Sequence, residues 1–269
     1  MPMSALQADR RAPRLLGVLA IAISIAIAMI FAVAFLPPLP EPQVFRGLAD
    51  NRTLLGVANF LNVVSNLPFL LVGVWGLYFL LHAAPSGKAF ADQRERWPYF
   101  ICFFALILTC FGSVYYHLET DSARLFWDRL PMAIAFMALF SAVIVERIGI
   151  GPGLRLLMPL VLIGLASVLY WRWSLLYATE NLLPYAIVQY GSILAIVVMA
   201  AVYPSRYTRG ADIIQVVAIY ALAKVAEVLD AWIYALGGIV SGHTLKHLIA
   251  AIAAYWLLRM LRRREAIDA

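Results

Sequence analysis

The sequence predicts an all-α, polytopic membrane protein, with one N-terminal anchor helix followed by a bundle of seven transmembrane helices. Three observations point there. Of the 269 residues, 64% are hydrophobic, and the mean hydropathy is +0.85. Charged residues make up only 13%, against about 25% in a soluble domain. Those charges cluster in short gaps between apolar runs of the length a bilayer requires, about 20 residues for a helix.

The first apolar run, Leu15–Leu36, follows Arg10, Arg11 and Arg14. Ala32-Val33-Ala34 resembles a signal-cleavage site, but the run is longer than a signal h-region and suits a membrane span, so an uncleaved anchor is expected. It ends in Pro37-Pro38-Leu39-Pro40-Glu41-Pro42, a stiff non-helical linker. Seven further spans are predicted: Leu54–His82, Pro98–Tyr116, Trp127–Val145, Leu154–Tyr170, Leu183–Tyr203, Ile213–Leu236 and His243–Leu261. Breakers such as Pro85-Ser86-Gly87, Pro204-Ser205 and Gly237-Gly238 separate them. The chain thus divides into residues 1–53 (tail, anchor and linker), 54–262 (the seven-helix domain) and 263–269 (a cytoplasmic tail). It has no internal repeat.

The basic residues orient the bundle. Of the 21 Lys and Arg, 14 fall on the side that carries both chain termini and 5 on the other, while Lys224 and Lys246 lie within spans. This bias predicts cytoplasmic termini in a bacterial-type inner membrane, with the sparse side periplasmic. The net charge of +6 therefore reads as a topology signal, and no basic stripe suggests nucleic acid. Cys102 and Cys110 lie eight residues apart in one span, roughly 12 Å along a helix axis, too far to bridge. They read as small buried residues. No protein partner is indicated.

Three of the four histidines fall at one membrane face. His117 ends the span Pro98–Tyr116, and His243 and His247 open the last one. Positions i and i+4 project from one helical face, so His243 and His247 with His117 form a facial set that leaves a fourth tetrahedral position open, as catalytic zinc requires. Taken singly, each is an interfacial histidine, as His82 is read to be. Ser113 lies one turn before His117, and Asp128 follows in Trp127-Asp128-Arg129-Leu130-Pro131, within reach of the same pocket. Alone, Ser113 reads as a packing residue and Asp128 as a helix cap or a partner of Arg129.

Together these residues resemble the alkaline ceramidases, part of a superfamily of seven-helix membrane hydrolases that includes adiponectin-receptor-like proteins. The resemblance is carried by Ser113-xxx-His117, Asp128 eleven residues on, His243-xxx-His247 in the last helix, and Asn62-Val63-Val64-Ser65-Asn66 in the first core helix. It covers about residues 57–261. It implies zinc on His117, His243 and His247, activating a water that attacks the amide carbonyl of ceramide to yield a sphingoid base and a fatty acid. It further implies Asp128 as proton acceptor and donor and Ser113 as oxyanion stabiliser. The family's acidic calcium cluster is not matched. Asp50, Asn51 and Asn59 supply too few carboxylates for a Ca²⁺ cage, so zinc is the expected cofactor and calcium a doubtful one.

The expected function is therefore a zinc-dependent membrane amidase acting on a ceramide-like lipid from the periplasmic side. The alternative is a lipid receptor of the adiponectin-receptor-like type, although short cytoplasmic loops offer a signalling partner little surface. A transporter with Lys224, Glu227 and Asp230 as a proton relay is a third reading, disfavoured by the lack of repeats. Those three residues read first as a self-neutralised structural set and second as support for a histidine. Asn59, Asn62 and Asn66 read as polar packing.

Overall fold

The computed structural model describes residues 23–24, 27–28, 30–31, 33–42, 47–84 and 89–267. The anchor predicted over Leu15–Leu36 falls mostly outside the described residues. Within them the chain is helical, and strand-like pairing is limited to two isolated bridges, Leu54 with Val57 and Tyr207 with Ala266.

The helices are α1 (Phe60–Ala83), α2 (Arg96–Leu118), α3 (Ser122–Arg147), α4 (Ile150–Leu176), α5 (Leu183–Val202), α6 (Asp212–Val228), α7 (Asp230–Ala235) and α8 (Gly242–Arg263). Among the described residues six of them, α1 to α5 and α8, are long and apolar enough to cross a membrane. Their outward faces carry apolar residues more than half exposed, among them Leu71, Phe111, Leu162 and Leu194. So large an apolar exterior is what a lipid-facing surface requires. Phe103, Phe140, Met137 and Trp171 fill the interior. Cys102 and Cys110 are free and buried, as read from their spacing.

The span predicted over Ile213–Leu236 is not one helix. It breaks at Leu229, whose ψ of 16° leaves the helical range, into α6 and α7. Asp230, just beyond the break, accepts from the backbone N–H of His243 at 2.6 Å and of Ala49 at 2.9 Å. Its carboxylate serves chain entering from elsewhere, and a continuous helix is given up there.

The span predicted to start at Trp127 starts at Ser122. Asp121 caps it, accepting from the N–H groups of Ala123 at 2.7 Å and Arg124 at 2.8 Å. Asp128 is therefore inside α3 and is not its cap.

Two glycines set the helix approaches that matter for the site. A Cβ at Gly112 would lie 2.1 Å from the carbonyl oxygen of Trp127, so only glycine lets α2 meet α3 there. Pro131, inside α3, has no N–H to bond that same carbonyl four residues back. A Cβ at Gly242 would lie 2.1 Å from the Ala226 carbonyl, which brings the start of α8 against the end of α6.

At the opposite end of the bundle the residue that follows α8 is packed in. Arg264 is buried, donates to Glu146 at 2.8 Å and lies over the Tyr207 ring at 4.1 Å. Burial pushes the Tyr207 phenol up to about 12.

Candidate metal centre and cavity

His117 lies in the last turn of α2, and His243 and His247 in the first two turns of α8. All three are buried. One ring nitrogen from each lies within 4.8 Å of the others. The helical periodicity accounts for His243 and His247 facing one way. Asp230, on the His243 N–H, and Ser241, whose hydroxyl accepts from Thr244 N at 3.1 Å, fix the start of that helix.

The nitrogens fit a metal. Nε2 of His117 and Nε2 of His243 are 3.3 Å apart. The edge of a tetrahedron built on Zn–N bonds of about 2.0–2.1 Å is about 3.3 Å. Nε2 of His247 is buried without a hydrogen-bond partner, an expensive state that a metal there would relieve; Nδ1 of His117, the ring nitrogen outside the Nε2 contact, is unpartnered as well.

On His247 the neighbours gather at Nδ1. Ser65 Oγ lies 3.1 Å from the Asn62 carbonyl and 2.8 Å from His247 Nδ1, and the Asn66 amide nitrogen lies 3.4 Å from the same Nδ1. A hydroxyl has a single proton, so Ser65 can accept from Nδ1–H only when it gives that proton to Asn62. Nε2 is the unpartnered atom of this ring. A second-shell oxygen on the non-ligating nitrogen is how metal-binding histidines are usually oriented.

The asparagines tie this arrangement together. Asn62 Oδ1 accepts from Thr244 Oγ1 at 2.8 Å and its amide donates to the Asp50 carbonyl at 2.9 Å. Asn66 donates to the Asn62 carbonyl at 2.7 Å. Asn59, in the left-handed region at φ 48°, donates to the His117 carbonyl at 2.8 Å. The polar stripe of α1 thus joins the two histidine-bearing helices. Asp50 gives both oxygens to Arg52, at 2.8 Å each, and that guanidinium holds its carboxyl below the usual carboxylate range.

Ser113, Asp128 and His247 line a cavity together with Asn66, Lys224, Glu227 and Lys246, and most of its other walls are apolar, among them Leu106, Phe136, Leu139 and Leu257. Ser113 and Lys246 are the polar neighbours that act most on the Asp128 carboxylate. Arg129 does not pair with Asp128. It pairs with Glu41 from the proline-rich linker and lies over the Trp171 ring at 4.4 Å. Both partners of that ion pair are buried.

Lys224, Glu227 and Asp230 separate. Asp230 supports His243 through the backbone, while Lys224 pairs with Glu227. Glu227 also accepts from Lys246 Nζ at 3.0 Å, and that Nζ is 2.9 Å from His243 Nε2. Sequence reasoning did not single out Lys246, Ser65 or Glu41. For Lys246 a signal existed, since residue 246 is i+3 from His243 and shares its face. For Glu41 none did.

No family model and no curated protein matches this chain.

Proposed function

We propose that this chain is a seven-helix membrane amidase of the alkaline ceramidase type, with an N-terminal anchor. In this reading α6 and α7 together make the seventh crossing. His117, His243 and His247 hold one zinc ion, and the amide bond of a ceramide-like lipid is hydrolysed to a sphingoid base and a fatty acid. The observation that carries the reading is the convergence of three buried imidazoles, one of which, His247, lines the same largely apolar cavity as Ser113 and Asp128. The charge bias supports cytoplasmic termini and a site toward the periplasmic face.

Zinc bound there supplies Lewis-acid activation of water and of the amide carbonyl. The chain's own groups do the rest. Asp128, kept free of Arg129 by Glu41, takes a proton from the attacking water on a carboxylate oxygen and returns it to the departing amine nitrogen. Ser113 orients that carboxylate, and the oxyanion role requires its hydroxyl to turn toward the substrate. The apolar walls receive the acyl chain and exclude bulk water.

The test is metal analysis of the purified full chain alongside hydrolysis of a fluorescent ceramide, with His117→Ala and His243→Ala as variants. About one zinc per chain, lost with activity in both variants, is expected. A wild-type protein without zinc, or variants that hydrolyse as well as wild type, would sink the reading.

A further inference from the structure

We propose that the end of the bundle that carries the histidines is sunk into the membrane, with the turn Leu54–Val57 and the segment 236–239 lying among the lipids of that leaflet. Neither segment belongs to the six long apolar helices or to α6 and α7. The proposal stands apart from the amidase reading and is tested without it.

The turn has the wrong chemistry for water. Leu54 and Val57 exchange two backbone hydrogen bonds, at 3.1 and 3.0 Å. Between them Leu55 and Gly56 have φ of 52° and 77°. A two-residue turn with both central φ positive favours Asn-Gly or Asp-Gly, and the left-handed region is unfavourable for a leucine. Leucine nevertheless holds the first position, with 90% of its surface exposed. Neither backbone preference nor packing within the protein accounts for it, whereas contact with lipid does.

The second segment repeats the pattern. Leu236 is 88% exposed and Ile239 70%. A Cβ at Gly56, Gly237 or Gly238 would meet nothing within 4 Å, so no described part of the chain covers those positions. Neither 53–59 nor 231–242 contains a charged residue or a histidine. At the opposite end the loop 204–212 carries Arg206, Arg209 and Asp212.

The two segments form one unit tied to the site. Arg52 donates from Nη2 to the Ile239 carbonyl at 2.6 Å and lies over the Tyr234 ring at 5.5 Å. Its charge is matched by Asp50. Asp230 bonds the backbone N–H of both Ala49 and His243. Exposed Trp232 on α7 carries the apolar exterior of the helices onto this end, and Trp and Tyr rings gather at membrane boundaries. The occupant is therefore lipid, because the surface continues faces that lipid already covers. The histidines behind this collar are held at head-group depth.

The experiment places the full chain in phosphatidylcholine vesicles, with a bimane fluorophore on Leu55→Cys or Ile239→Cys. Leu71→Cys, in the middle of α1, and Pro204→Cys, in the exposed loop, are the references. Unsubstituted protein gives the background from the buried Cys102 and Cys110. Quenching by phosphatidylcholine brominated near the head group is compared with quenching by aqueous iodide. We expect the labels at 55 and 239 to lose most of the iodide quenching seen at 204. Bromine near the head group should quench them more than it quenches the label at 71. Iodide quenching at either position equal to that at 204 would overturn the proposal. So would protection from both quenchers, which would mean that a second copy or the chain's own N-terminal segment covers this surface. The two labels lie on different segments, so a variant that fails to fold at one leaves the other to decide.

Discussion

Ser65 Oγ stands 2.8 Å from Nδ1 of His247 and 3.1 Å from the Asn62 carbonyl, so the hydroxyl holds the Nδ1 edge of the imidazole and leaves Nε2 as its unpartnered nitrogen. Removing such a group typically lowers metal affinity about 10-fold to 100-fold. Ser65→Ala is expected to do so in a zinc competition with a chromogenic chelator, with helix content unchanged. Unaltered affinity would mean that Ser65 does not orient the ring.

Asp128 lines the cavity, and its neighbour Arg129 is engaged by Glu41. Asp128→Asn keeps the shape and removes the proton acceptor. Hydrolysis should fall about 10²-fold to 10⁴-fold with zinc content retained. Loss of zinc in this variant would instead make Asp128 part of the metal-holding set.

Gly112 is the contact point of α2 and α3. In Gly112→Ala the new Cβ meets the Trp127 carbonyl at 2.1 Å, and backbone cannot yield as a flexible side chain does. A destabilisation of about 1–3 kcal/mol is expected for forced overpacking, read as a lower thermal midpoint in detergent. Activity should fall with it, since Ser113 and Asp128 are set by this approach. Gly237→Ala, where nothing lies within 4 Å, serves as the control.

Glu41→Ala strands the Arg129 guanidinium in a buried position. Breaking one side of a buried pair costs about 3–5 kcal/mol. Adding Arg129→Met should recover part of that loss, because the uncompensated charge is gone while contact with Trp171 remains available. If Glu41→Ala leaves the midpoint in place, the linker is not fastened through this pair.

Much of this architecture was legible because it is local. Apolar runs of span length marked the six long helices, and i, i+4 spacing put His243 and His247 on one face. Glycine and proline punctuation marked most of the gaps. The break at Leu229 was not legible: Val228 and Leu229 continue an apolar run with no glycine or proline at the break, and the Asp230 carboxylate is drawn to backbone groups at 49 and 243. The early start of α3 was missed for a similar reason. The segment 122–126 is only partly apolar, and its helix depends on the Asp121 cap. The count of basic residues also included Arg147 and Arg264 as loop charges, yet both are buried, and Arg147 donates to the Tyr203 carbonyl at 2.6 Å.

By itself, then, the sequence determined the helical membrane character and the candidate set His117, His243, His247, Ser113 and Asp128. Hydropathy and helical periodicity are properties of neighbouring residues, and they survive without a fold. Only the tertiary structure decided that Arg129 belongs to Glu41, that Ser65 stands against His247 Nδ1, and that Lys246 shares Glu227 with Lys224. Each of these joins groups far apart in the chain. Their pairing follows from which helix faces can approach, and Gly112 and Gly242 control that approach by having no side chain.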